Sequence, residues 1–150
     1  MLPCESVIPT IPEIRRLRAG EASALLALWA EAAATPSVTD SVEEIDRALA
    51  HQRLACLVAE ADGRIVGSIF ASFDGWRGNI YRLAVHPLYR RRGIGRQLLA
   101  AAEEILTSWE VRRITAIVEK DHLWAVSFWA AVGYTDDARI SRFVRTLAKP

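Results

Sequence analysis

The residues best suited to chemistry lie in one stretch, LAVHPLYRRRGIGRQLL, which runs over residues 83–99. Gly93 and Gly95 stand two apart and carry no Cβ, so the backbone there can come close to a ligand. The apolar periodicity that follows reads as a helix, whose first N–H groups and positive dipole end point back at the turn. A phosphate placed there accepts several amide hydrogen bonds at once. Five arginines fall between Arg82 and Arg96, with no acidic residue among them. Their forked, charged donors suit phosphate oxygens. Together these features describe a pyrophosphate cradle. The Gly-Lys-Ser/Thr ending of a Walker A loop is missing. So is the third glycine of the dinucleotide fingerprint, and the segment lies late in the chain rather than after a first strand.

The elements that must position this turn follow from periodicity and punctuation. Pro3, Pro9 and Pro12 predict a loose arm over residues 1–12. Residues 13–18 alternate as a short strand. A helix over residues 21–34 presents Leu25, Leu28, Trp29 and Ala32 on one face, and Thr35-Pro36-Ser37 ends it. Ser41 with Glu44 forms a capping box for a second helix reaching residue 51. Strands over residues 53–60 and 64–73 flank Asp62-Gly63, a hairpin signal. A third strand covers residues 79–85. A helix from about residue 93 to 108 carries the stripe Ile94, Leu98, Ala102, Ile105 and Trp109. A buried strand over residues 114–119, an almost wholly apolar helix over 122–132 stopped by Gly133, and a last strand over 139–147 complete the order β-α-α-β-β-β-α-β-α-β. The 150 residues show no repeat and no linker, so one α/β (α+β) domain with helices on both faces of a mixed sheet is expected.

The turn and its context resemble the GNAT superfamily of acetyl-CoA-dependent N-acyltransferases. That family carries Gln/Arg-x-x-Gly-x-Gly/Ala between an apolar strand and a long helix; Arg90, Gly93 and Gly95 stand at those positions, and Leu-Ala-Val-His-Pro precedes them. The element order matches the family fold, with its mostly antiparallel central sheet, over residues 13–147. Asp74-Gly75-Trp76-Arg77-Gly78 before Ile80-Tyr81 is similar to a bacterial GNAT subfamily of undefined substrate. A later signature, Asn-x-x-Ala-x-x-Leu-Tyr-x-x-x-Gly-Phe, is matched at Ala125 and Gly133 and conservatively at Phe128 and Tyr134, while His122 stands in place of its asparagine and Trp129 in place of its tyrosine.

The resemblance implies a bulge in the strand that carries Leu83, Ala84 and Val85, whose main chain would pair with the pantetheine arm of acetyl-CoA. Arg90, Arg91, Arg92, Gly93, Ile94, Gly95 and Arg96 would surround its pyrophosphate, with His122 and Trp129 beside the cofactor arm. Trp129 replaces the family's thiolate-protonating tyrosine, and an indole cannot transfer a proton near neutral pH. An unassisted thiolate remains an acceptable leaving group, since a free thiol ionises near pH ~8.5. The glutamate that many relatives carry has no counterpart in Asn79-Ile80-Tyr81-Arg82. Asp74 is then the nearest acidic candidate base along the chain, and Tyr81 a candidate to orient a water. His86, ahead of Pro87, reads as structural. Asp40 and Glu31 read as surface acids, with attraction of a cationic amine as the second reading.

The implied function is acetyl transfer from acetyl-CoA to a primary amine of a small molecule or peptide, directly in a ternary complex. A non-catalytic acyl-CoA-binding or regulatory module is the competing reading, on account of Trp129 and the missing carboxylate. The net charge of +1 and the absence of interleaved basic and aromatic residues argue against a nucleic-acid partner. No run approaches 18 apolar residues, so no membrane partner is expected. The 17 arginines against Lys120 and Lys149 reflect mainly a compositional bias. Cys4 and Cys56 have neither metal-ligand nor redox spacing, so a reducing, cytoplasmic setting without metal is expected. No apolar signal-peptide core precedes residue 12. Small members of the family often pair, which makes a homodimer an expectation.

Overall fold

Two of the strands are buried on both faces, and this fixes the architecture. The stretch LACLVAEA forms β2 (Leu54–Ala61) and RIVGSIFASF forms β3 (Arg64–Phe73). Each contains a run of at least five consecutive buried residues, the pattern of a strand covered by helices on both sides. The computed structural model describes residues 11–150, so most of the expected N-terminal arm, with Cys4, lies outside the described residues. The chain divides into two units, Met1–Thr115 and Ala116–Pro150.

In the first unit the sheet order is β1-β2-β3-β4-β5, with β1 (Glu13–Arg16), β4 (Gly78–Val85) and the short β5 (Ile114–Ala116) completing it. The pairs β1/β2, β2/β3 and β3/β4 are antiparallel. The β2–β3 connection is the two-residue turn Asp62-Gly63, and both residues have positive φ, +55° and +73°. That is the type I′ geometry Asp-Gly favours.

Neighbouring residues of β3 show which helix covers which face. Ser68 reaches Trp29 of α1 (Ala22–Glu31), whereas a Cβ on Gly67 would lie 2.9 Å from Leu98 and 3.1 Å from Ile94 of α3 (Ile94–Ser108). Adjacent strand residues point to opposite faces, so α1 and α3 cover opposite faces of the sheet. Leu25, Leu28, Trp29 and Ala32 pack with Cys56, Val58, Phe70 and Ala84 on one side. Helix α2 (Val42–Leu49) adds Ile45 to the same cluster, and the Ser41 hydroxyl accepts the Glu44 N–H at 3.2 Å as its N-cap. Glycine at position 67 is what lets the N-terminal half of α3 approach the sheet.

In the second unit, Gly133 (φ +92°) ends α4 (Leu123–Ala131), and the Tyr134 N–H donates to the Trp129 carbonyl, as in a Schellman motif. Two expectations fail in this part of the chain. The strand expected over residues 114–119 is only three residues long and half-buried. Residues 139–147 form no strand; Phe143 is 94% exposed and Leu147 77%. Their alternation of apolar and polar residues suits a strand, but a strand needs a ladder partner, and the described residues of this unit contain none.

Candidate active site

The site starts from an irregularity in β4. Phe70 pairs with Tyr81 and Ser68 with Ala84, so a two-residue step on β3 faces a three-residue step on β4. The extra residue produces a bulge, and Arg82 sits in it with φ +53°, a left-handed conformation uncommon outside glycine. A buried hydroxyl holds the bulge from beneath. Ser68 Oγ donates to the Arg82 carbonyl at 2.8 Å and accepts the Trp29 indole N–H at 3.0 Å. Beyond it, Ala84 packs into the core, and Leu83 and Val85 are half-buried. Gly78, at the other end of β4, donates its N–H to the Arg113 carbonyl at 2.9 Å.

The Arg82 side chain reaches away from the sheet. Its guanidinium lies over the Trp29 ring, 4.8 Å from the centroid, and donates to both oxygens of Asp40 at 2.7 and 2.8 Å and to the Thr35 carbonyl at 2.9 Å. The loop between α1 and α2 is thereby fastened to the bulge. Asp40 also accepts the Ser37 N–H, so its carboxylate is engaged within the loop.

The glycine-arginine turn follows β4 through a short 3-10 turn (Pro87–Tyr89) capped by His86. Arg91 and Gly93 both have positive φ, +63° and +79°. Gly93 is the N-cap of α3 and offers no side chain to its first amides, in contrast to Ser41 at α2. The first-turn N–H groups have no intrahelical acceptor and face the turn. A Cβ on Gly93 would meet nothing within 4 Å, so space is open on that side of the backbone.

The side chains in and around the turn divide by role. Arg90 folds inward, donating to the Val85 carbonyl at 3.1 Å and the Ala32 carbonyl at 3.3 Å. Ile94 is 2% exposed and packs under the sheet, so only its main chain faces the turn. Arg91, Arg92 and Arg96 are exposed, and Arg92 lies over the Tyr89 ring at 5.1 Å. The Tyr89 hydroxyl donates to Asp62 at 2.7 Å, which raises its pKa because the carboxylate holds the proton. The seven-residue segment expected to surround a pyrophosphate thus resolves into one framework arginine, three exposed arginines, two glycines and one buried isoleucine.

The structure separates the two candidate proton-handling residues. Asp74 Oδ1 accepts the N–H groups of Trp76 and Arg77, each at 2.8 Å, and these bonds to Arg77 and Trp76 lower its pKa. Its carboxylate closes the β3–β4 turn. From Gly78 to the bulge is about 13 Å at the usual strand rise, so Asp74 lies well away from Arg82. Tyr81 is adjacent to the bulge and 39% exposed. In the second unit, His122 bonds Glu119 at 2.9 Å. Trp129 is buried between Phe128 and Tyr134, with ring centroids 5.5 and 4.7 Å away.

Sequence reasoning did not single out Ser68 or the Arg82–Asp40 pair. A Gly-Ser pair inside the apolar run Ile65–Phe70 was the available signal, since both weaken a strand unless something needs them there.

The bulged strand, the glycine turn and the amide-bearing start of α3 together define a class. Residues 22–134 match the acetyltransferase (GNAT) family, and the chain belongs to that family. An acetyltransferase of Pectobacterium atrosepticum is 34% identical over 122 residues, covering 81% of this chain and 86% of the relative. One of Photorhabdus laumondii is 34% identical over 124 residues, 83% of this chain and 87% of its own. Among solved structures, AAC(6')-Iy in complex with a CoA-linked bisubstrate analogue superposes with a TM-score of 0.75 at 20% identity, covering 92% of this chain and all of that one. The PaiA N-acetyltransferase of Thermoplasma acidophilum, in complex with coenzyme A, gives 0.76 at 22% identity over 85% of this chain and 92% of its own. At these identities the superpositions establish the shared fold.

Proposed function

We propose that the chain is an acetyl-CoA-dependent N-acetyltransferase acting on a primary amine of a small molecule or peptide. One observation carries the reading: the open, glycine-capped start of α3 lies directly downstream of a strand whose bulge at Arg82 and Leu83 interrupts the ladder with β3 before pairing resumes at Ala84. Amides of Arg91 to Arg96 would hold the pyrophosphate, with Arg91, Arg92 and Arg96 supplying charge. Leu83, Ala84 and Val85 would pair with the pantetheine arm as an added strand. The family match runs across both units, which supports one acetyltransferase domain.

In the reaction, the lone pair of a neutral amine attacks the thioester carbonyl carbon. The developing oxyanion is met by a strand N–H near Leu83 or Ala84. The C–S bond then breaks, the amide remains on the acceptor, and coenzyme A leaves as a thiolate. The amine's proton passes to water oriented by Tyr81, which lies beside the bulge, rather than to the turn-bound Asp74. Asp40 and Glu31 are both engaged in ion pairs, so attraction of a cationic acceptor rests on other groups. His122 and Trp129 keep the assignment the motif gives them.

The missing strand carboxylate favours a second reading, an acyl-CoA-binding module without turnover. Thiol release from acetyl-CoA, followed colorimetrically with a panel of primary amines, separates the two. Amine-dependent release supports the transferase; tight CoA binding with no release from any amine supports the module.

A further inference from the structure

His86 is 7% exposed and sits between β4 and the glycine turn, and all of its polar atoms are used. Its N–H donates to the Val66 carbonyl at 2.8 Å, and its carbonyl accepts the Tyr89 N–H at 2.9 Å. Its ring Nδ1 accepts the Leu88 N–H at 3.1 Å, capping the 3-10 turn. Its Nε2 lies 2.6 Å from Glu31 Oε2 at the end of α1. An amide N–H bonded to Nδ1 requires a lone pair there, so the proton sits on Nε2 and is directed at Glu31.

Two conclusions follow from the chemistry of that ring. The only acceptor lone pair of the neutral imidazole is occupied by Leu88, so His86 is not placed to take a proton from a substrate amine, despite a carboxylate partner that looks like half of a catalytic dyad. The ring instead joins three elements. Glu31 Oε2 also accepts from Arg64 at 3.0 Å, next to the β2–β3 turn. From that same turn Asp62 accepts the Tyr89 hydroxyl, and the Tyr89 ring stands edge-on to His86 at 5.8 Å. Arg90 ties the other end of the segment to the Ala32 carbonyl, one residue beyond α1.

We infer that His86 is a positioning residue for the cofactor: as a neutral imidazole bridging Glu31 and the Leu88 amide, it holds the turn over residues 87–92 in the shape that receives the pyrophosphate. The inference rests on the proposed acetyl-CoA reading for its ligand, and on the hydrogen bonds alone for the preorganised turn. When a binding-competent conformation is only a fraction of the population, apparent affinity falls by that fraction. An N-cap bond of this kind shifts such an equilibrium about tenfold.

The test uses the full chain and three variants. His86→Leu removes both ring contacts. His86→Asn keeps an acceptor near the Leu88 amide but cannot reach Glu31, and His86→Gln reaches toward Glu31 without the Nδ1 acceptor. Amide hydrogen exchange is measured first, without ligand. The inference predicts faster exchange at Leu88 and Tyr89 in His86→Leu and His86→Gln, with partial protection in His86→Asn, which keeps only the Leu88 arm of the bridge, and no change in α3. Calorimetry with CoA then reads a Kd raised about tenfold in His86→Leu and His86→Gln and raised less, by about threefold, in His86→Asn. With acetyl-CoA and an accepted amine, KM for acetyl-CoA rises while kcat stays within twofold. Equal exchange in all variants, or wild-type CoA affinity in His86→Leu, overturns the inference. A wild-type chain that shows the exchange pattern but binds no CoA overturns the acetyl-CoA reading while leaving the bracket standing.

Discussion

Removing the Ser68 hydroxyl tests how the bulge is held. Ser68 is fully buried and Trp29 is 4% exposed. Ser68→Ala leaves the Trp29 indole N–H without its acceptor in the core and the Arg82 carbonyl without its donor. An orphaned buried polar group costs about 1–3 kcal/mol. The indole is the more deeply buried of the two and takes the larger share, so the sum is about 2–4 kcal/mol. With a urea m-value of about 2 kcal/mol/M, the unfolding midpoint falls by about 1–2 M. Urea unfolding followed by tryptophan fluorescence reads this directly, because Trp29 itself reports the site. Ser72→Ala, four residues along the same face of β3 and half-buried, is the control and shifts stability by less than about 0.5 kcal/mol. The same Ser68 variant weakens CoA binding, because an unsupported bulge no longer presents the main chain beyond Arg82 in one arrangement. A loss below about 0.5 kcal/mol in Ser68→Ala would refute the view that this hydroxyl supports the bulge.

Other perturbations have defined outcomes. Gly67→Ala places a Cβ against Leu98, Ile94 and Ala59 at 2.9 to 3.3 Å, so it destabilises by about 1–3 kcal/mol and lowers CoA affinity by displacing the start of α3. Gly93→Ala meets no neighbouring atom but must adopt φ +79°, so it loses about 1 kcal/mol of stability, and its Cβ, on the open side where the phosphate approaches, weakens CoA binding. Arg82→Ala frees the loop between α1 and α2 and leaves the Asp40 carboxylate without its partner, a loss of about 2 kcal/mol by thermal or urea unfolding. Glu21 has its pKa lowered chiefly by its hydrogen bonds from Arg15, so the stability it contributes is present above its ordinary value of 4.5 and is lost as the pH falls through the lower folded value; Glu21→Gln flattens that acid limb of the stability curve.

The parts of the fold written in short local patterns were legible in the sequence. Asp62-Gly63 adopts the I′ turn, Ser41 and Glu44 meet in the cap, and Gly93 takes the left-handed position ahead of α3, because each depends on the conformational preferences of a few adjacent residues. The resemblance to a family placed the bulge on the right strand. Its location at Arg82 was not readable, since a non-glycine residue with φ +53° is held there by Ser68 and Trp29, 14 and 53 residues away in sequence. The inward fold of Arg90 was hidden for the same reason: one arginine in a run of three looks like its neighbours until two carbonyls claim it. Residues 139–147 failed in the opposite direction. Their alternation is genuine, yet a strand is a property of two segments, and the pattern of one cannot supply the other.

The central claim is that the turn after β4 receives the pyrophosphate of coenzyme A. Isothermal titration of CoA into the wild-type chain and into Gly93→Val addresses it most directly. A valine here adds a branched Cβ where the backbone must stay open and left-handed, so residual folding is checked by circular dichroism in the same samples. The account predicts one CoA per chain for the wild type and no measurable binding by a folded Gly93→Val. Equal CoA affinity in the two proteins, or no binding by the wild type, would contradict it.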